Sequence, residues 1–292
     1  MKVIDGILAR ARHLRRMVGD GVVDSAKAAV YVRQLLRGNR APPSILSGPR
    51  VQGARPSMAV PASGAQTSHL SPAPSPHAVM LPPVLLLHGY LATRGSVHLL
   101  EERLTAFGHV VMTYRLGPVH LGDIRDSAGF IARKVESLVS QTGVEKVDVV
   151  AHSMGGLVAL DYLKRLQGHR RVRRLVLLGT PILGTWTALL GIATAPLGRA
   201  ALQLLPGSSF LRDLGRMPIP AGPEVIAISG DRDWLAPPHT TVFEGVRCLA
   251  LATGHSGLLV DESVARTISD ILAAAPSAKP VDGLFDGAGD PH

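Results

Sequence analysis

At 292 residues and 46% hydrophobic side chains, the chain can bury one sizeable core and reads as one domain with appendages. Its net charge of +9 is concentrated in residues 1–80, where eleven Lys and Arg face three Asp and Glu for a net +8; the remaining +1 on residues 81–292 excludes a basic nucleic-acid footprint there. A lone cysteine, Cys248, excludes an intrachain disulfide.

Residues 3–18 place Ile4, Ile7, Leu8, Ala11, Leu14 and Val18 at three- and four-residue spacing, with Arg10, Arg12, Arg15 and Arg16 largely elsewhere around the helix. A second helical stretch, about 24–37, carries Ala28, Ala29, Val32, Leu35 and Leu36 and stops at Gly38. Residues 1–40 therefore form a basic amphipathic extension, which lies on an anionic membrane surface or packs on the body or a partner chain. The start lacks the uninterrupted apolar core of a secretory signal, and no stretch reaches the ~18 consecutive apolar residues of a membrane span. A cytoplasmic or membrane-peripheral location is the expectation. Residues 41–80 turn to Pro, Ser, Ala and Gly, as in S-P-A-P-S-P, and read as a linker; residues 276–292 have the same character and read as a disordered tail.

Between linker and tail, residues 81–275 alternate short apolar runs with helical patterns. Val84–Leu87, Val110–Thr113, Val147–Val150, Leu175–Leu178, Val225–Ile228 and Val246–Leu251 are candidate strands, and about 124–139, 154–166 and 261–273 candidate helices. That order predicts an α/β fold with a mostly parallel central sheet flanked by helices. The run R-R-V-R-R from Arg170 to Arg174 reads as a solvated turn ahead of a strand.

The segment V-D-V-V-A-H-S-M-G-G-L-V-A-L-D-Y-L passes from a buried strand through a tight turn into a helix. A nucleophile elbow needs that context and needs small residues two positions to either side of the serine, here Ala151 and Gly155 around Ser153. A serine hydroxyl attacks well only when a histidine takes its proton and an acid steadies that histidine. Downstream, E-V-I-A-I-S-G-D-R-D-W-L-A-P-P offers Asp231 and Asp233 at a strand's carboxyl end, and the last strand ends in G-H-S-G-L-L, which offers His255. His152 and His239 are rivals for the base, but one adjoins the nucleophile and the other precedes the last strand, so both read as structural. The oxyanion calls for two donors: the Met154 N–H at the head of the helix, and the Tyr90 N–H after P-P-V-L-L-L-H-G-Y.

An apolar insertion at about 183–219, without a charged side chain from Gly179 to Gly198, reads either as a lid and acyl-chain pocket or as cover for the sheet; Trp186, Leu189, Leu190, Ile192 and Leu197 are the lining candidates. No metal and no cofactor is called for.

The pieces L-L-L-H-G-Y, V-D-V-V-A-H-S-M-G-G-L-V-A-L-D-Y-L, L-L-G-T-P-I-L-G-T, I-S-G-D-R-D-W-L-A-P-P and G-H-S-G-L-L together resemble the bacterial lipases of the α/β-hydrolase superfamily over about residues 82–273. The elbow alanine is similar to that of small Bacillus lipases. The resemblance implies an α/β-hydrolase fold and a triad of Ser153, Asp233 and His255, with Asp233 favoured by its place three residues after the strand-end Gly230. It also implies a lipid or other small acyl ester as substrate. Those lipases are typically secreted, whereas this chain opens with a basic helical extension and a linker. An acyltransferase or polyester depolymerase with the same triad, or a silent hydrolase fold acting as a binding module through residues 1–40, are the alternatives.

Overall fold

The computed structural model describes residues 24–38, 81–116, 120–242 and 246–275, with the side chains of 192–197 excepted. The basic helix at 3–18, the linker at 41–80 and the tail at 276–292 lie outside the described residues.

Six strands form one sheet: β1 (Val84–Leu87), β2 (Val111–Thr113), β3 (Val147–His152), β4 (Val172–Leu178), β5 (Glu224–Gly230) and β6 (Arg247–Leu251). Every pairing is parallel, in the order β2-β1-β3-β4-β5-β6. Parallel neighbours need crossovers, and those crossovers cover both faces, which is why the strands read as unbroken apolar runs rather than as an alternation.

Successive side chains of a strand still point to opposite faces. Leu85, Leu87, Val149, Ala151, Leu175 and Leu177 pack on one side, against Ile131 and Val135 of α3 (Ile124–Thr142) and Leu157 and Leu160 of α4 (Met154–Arg165). Val84, Leu86, Val150, Val176, Leu178 and Ile226 pack on the other, against Leu100 and Leu104 of α2 (His98–Ala106), Leu258 of α7 (Gly257–Val260) and Ile268 of α8 (Glu262–Ala273). Between β4 and β5 the insertion forms a 3-10 stretch (Trp186–Leu197), α5 (Ala200–Gln203) and α6 (Ser209–Arg216). Phe210 and Leu214 of α6 are buried in the first core layer, so this end of the insertion does cover the sheet.

From β1 the chain runs outward to β2 and then crosses back to β3 on β1's other side. The loops leaving β1 and β3 therefore diverge, and a crevice opens at their carboxyl ends, where open α/β sheets hold their ligands.

The expected solvated turn at Arg170–Arg174 is corrected at its second half. Arg173 and Arg174 lie within β4, and Arg174 is 1% exposed, with its guanidinium donating to Glu224 (2.7 Å) and to the carbonyls of Leu272 and Ala274 (3.1 and 2.8 Å). A charge at a strand's start reaches the sheet's amino edge, where the end of α8 supplies carbonyl oxygens that need donors.

The second helix, here α1 (residues 24–36), ends as Gly38 takes φ +61°. Its packed face differs from the aliphatic stripe in the sequence. Ala28, Ala29, Val32 and Leu36 are exposed, while Asp24, Lys27, Tyr31, Gln34 and Leu35, also at three- and four-residue spacing, turn towards the body. Burial here follows hydrogen-bond partners as much as hydropathy.

Candidate active site

β3 ends at His152, α4 begins at Met154, and the whole reversal falls on Ser153, with φ 55° and ψ −128°. A non-glycine residue with positive φ is strained and persists only where its surroundings fix it. Here they do. A Cβ on Gly155 would lie 2.6 Å from the His88 carbonyl oxygen, and one on Gly156 would overlap the Thr180 side chain, so the head of α4 sits directly on the neighbouring strand ends. Gly89 is equally constrained, since its Cβ would come within 2.8 Å of Ser153 Cβ. Ala151, in the first small position of the elbow, is fully buried.

β5 ends at Gly230, and the turn after it carries Asp233, whose side chain is 0% exposed. One carboxylate oxygen accepts the Ala236 N–H at 2.8 Å; the other accepts from His255 Nδ1 at 2.6 Å. A carboxylate can only accept, so the histidine's proton sits on Nδ1 and Nε2 is left as the basic nitrogen. Asp231, the rival acid, is exposed. His239 is exposed too and lines a different cavity, whereas His152 is buried with its ring 4.5 Å from that of His255 and its Nε2 donating to the His255 carbonyl at 3.2 Å. Ser153 and His255 open on the same cavity. Among the described residues no hydrogen bond joins Ser153 Oγ to His255; such contacts are often long before substrate arrives.

Gly179, at the end of β4, has no counterpart in the sequence reading. It has φ +52°, and a Cβ there would lie 2.9 Å from Asp233 Oδ2 and 3.2 Å from His255 Nδ1. A side chain at this position would wedge the acid and base apart. The signal in L-L-G-T-P is only a strand-end glycine, and its neighbours come from two later loops.

Met154 is the first residue of α4, where N–H groups lack intrahelical acceptors and face the helix's positive end, and Tyr90 follows Gly89 along the cavity wall. The Tyr90 hydroxyl donates to the Gly191 carbonyl at 3.2 Å, tying the loop after β1 to the insertion. His88 beneath this loop is held neutral, its pKa pushed down to about 4 by burial, as its Nδ1 donates to the Gly89 carbonyl at 3.3 Å. His120, edge-on to it with ring centroids 5.3 Å apart, is pushed down to about 3, by burial first and by His88 second.

The cavity at Ser153 has a volume of about 340 Å³ and mainly apolar walls. The insertion contributes Ala188, Leu190, Gly191 and Leu204, with the Thr185 and Thr187 hydroxyls turned away to the Leu235 carbonyl. Of the lining candidates, Leu190 reaches this cavity, although it is 80% exposed overall. Trp186 lines a neighbouring cavity of about 300 Å³ with Trp234; Leu189 is half exposed and lines neither, and the side chains of Ile192 and Leu197 lie outside the described residues. Tyr31 and Leu35 of α1 also line the cavity at Ser153. Nothing in the spacing of the elbow points to them.

A sequence model of the alpha/beta hydrolase family matches residues 84–289. The fold is similar to that of a Bacillus licheniformis lipase in mature form, with 18% identity and a TM-score of 0.57 over 68% of this chain and 96% of that one. It is also similar to Aspergillus fumigatus lipase B, with 17% identity and a TM-score of 0.58 over 69% of this chain and 55% of that one.

Proposed function

We propose that this chain, which belongs to the alpha/beta hydrolase family, hydrolyses carboxylic esters of lipids or other acyl compounds through a covalent intermediate on Ser153. One observation carries the reading: at the crevice between β1 and β3, a serine on a strained elbow shares an apolar cavity with a histidine whose Nδ1 is held by a buried aspartate. The fold similarity to two lipases supports it.

In this reading the ester carbonyl enters beside Ser153, and His255 Nε2 takes the hydroxyl proton as Oγ bonds to the carbonyl carbon. The oxyanion accepts from the N–H groups of Tyr90 and Met154, donors fixed before the charge develops. Collapse expels the alcohol, which takes the proton from His255. Water, deprotonated by the same nitrogen, then attacks the acyl-enzyme, and Ser153 leaves as the hydroxyl. Asp233 stays ionised throughout and stabilises the imidazolium. The apolar walls favour an acyl chain over a charged or sugar-like group.

Rapid mixing with p-nitrophenyl butyrate tests the covalent step. The expected result is a burst of one p-nitrophenol per chain ahead of steady turnover, lost in Ser153→Ala. A burst that survives in Ser153→Ala would exclude this serine as the nucleophile. Adding a short alcohol to the same assay separates hydrolysis from acyl transfer: a product pool dominated by the new ester would mark an acyltransferase.

A further inference from the structure

Helix α1 crosses the active-site face and is fastened to three of the loops that build it. At its start, Asp24 accepts from Arg232, the residue before Asp233, at 2.7 and 3.3 Å. One turn on, Lys27 donates to Asp261 at 2.6 Å and to Thr253 at 3.4 Å, on either side of His255. At its end, Thr93 Oγ1 donates to the Leu35 carbonyl at 3.1 Å and the Gly95 N–H to the Gly38 carbonyl at 2.9 Å, both in the loop that follows Tyr90. Gly95 is seated so closely that a Cβ there would overlap the Gln34 carbonyl oxygen.

Thirteen helical residues span about 20 Å, so these fastenings hold the helix along its whole length. Between them Tyr31 and Leu35 face the cavity at Ser153. Tyr31, partly buried, packs on the second core layer, and that burial raises its phenol pKa. The helix lies upstream of the family-matched segment, residues 84–289. The cavity thus has one wall from outside the hydrolase domain proper.

We propose that Tyr31 and Leu35 are specificity-determining residues, and that α1 is the wall that sets which acyl chains Ser153 accepts. The proposal rests on the ester-hydrolase reading. Each methylene shielded against such a wall contributes roughly a fourfold gain, so a change in wall shape must register as a change in chain-length profile.

The test uses the full chain and compares kcat/KM for p-nitrophenyl acetate, butyrate and octanoate. Leu35→Trp fills the cavity and should lower the octanoate-to-acetate ratio at least tenfold. Tyr31→Ala should move the preference towards longer or bulkier acyl groups. Gly95→Leu unseats the end of α1 without altering a wall side chain, and should flatten the profile. Binding of a dansylated undecanoate to the Ser153→Ala chain gives a readout that needs no turnover, and Leu35→Trp in that background should weaken it about tenfold. Ester turnover with an unchanged ratio in all three variants would overturn the wall and leave the hydrolase standing. Absence of turnover on every ester would instead overturn the hydrolase; an unaltered dansyl-undecanoate affinity in Leu35→Trp would then overturn the wall as well.

Discussion

Ser153 keeps a positive φ in an elbow packed so closely that a Cβ on Gly89, Gly155 or Gly156 would clash with its neighbours. That much was legible, since a buried strand, a tight turn and a helix with small residues two positions either side of a serine have one mechanical reading. Ser153→Ala and His255→Ala should each lower kcat by about three to six orders of magnitude, and Asp233→Asn by about four, with thermal melting unchanged for Ser153→Ala; steady-state kinetics beside calorimetry checks both. Asp233 was favoured over Asp231 in part by family spacing, and the 2.6 Å contact to His255 now distinguishes them physically. Gly179 was not legible, because what it makes room for arrives from loops far downstream. Gly179→Ala meets both a left-handed backbone and the Asp233–His255 pair. We expect at least a hundredfold loss in kcat with little change in KM; kinetics within threefold of the parent would remove Gly179 from the site's architecture.

Among the elements, the strands were legible from their apolar runs, and their observed bounds differ from expectation by two residues at most, except at β4, which begins three residues earlier, at Val172. The reason is Arg173 and Arg174, whose charges disguise a strand's first residues as a turn. α2 escaped notice for a related reason. Its Glu101 is buried against Arg94 (3.1 Å), so a charge interrupts the apolar stripe of Leu100 and Leu104. Such ion pairs tie the element together because each buried charge is compensated mainly by the other. Arg174→Ala takes away a buried guanidinium from which Glu224 and the Leu272 and Ala274 carbonyls accept, although Arg173 still donates to Leu272, and should cost roughly 3 kcal/mol, lowering Tm by about 6–12 °C. Activity well below the transition should survive. A melting point unchanged in Arg174→Ala would show that Arg174 does not hold the end of α8, leaving that to packing and to Arg173. α1 was legible as a helix ending at Gly38, but its inward face was not, because that face is chosen by partners on Arg232, Thr253 and Asp261 rather than by its own aliphatic residues.

For the molecule as a whole, the doubly wound parallel architecture followed from the alternation of runs and helical patterns, and the site followed from it, at the point where strand order reverses. The histidines buried beneath that site carry a cost the sequence did not disclose. His88, His120 and His152 are all held neutral by burial, so their folded pKa values lie below the ordinary value of 6.5. The unfolded chain therefore binds protons that the folded one refuses, and stability is lost as pH falls through 6.5 towards the folded values. Between pH 7 and 5 the loss should be roughly 2 kcal/mol for each of His88 and His120, with His152 acting in the same direction, read as a falling urea midpoint; a midpoint flat across that range would contradict their neutrality. The central claim, that Ser153 is an activated nucleophile, is tested most directly by labelling the folded full chain with a fluorophosphonate and mapping the adduct by mass spectrometry. The account predicts one adduct, on Ser153, abolished by Ser153→Ala and strongly slowed by His255→Ala. Labelling elsewhere, or no labelling of a chain that melts cooperatively, would contradict it.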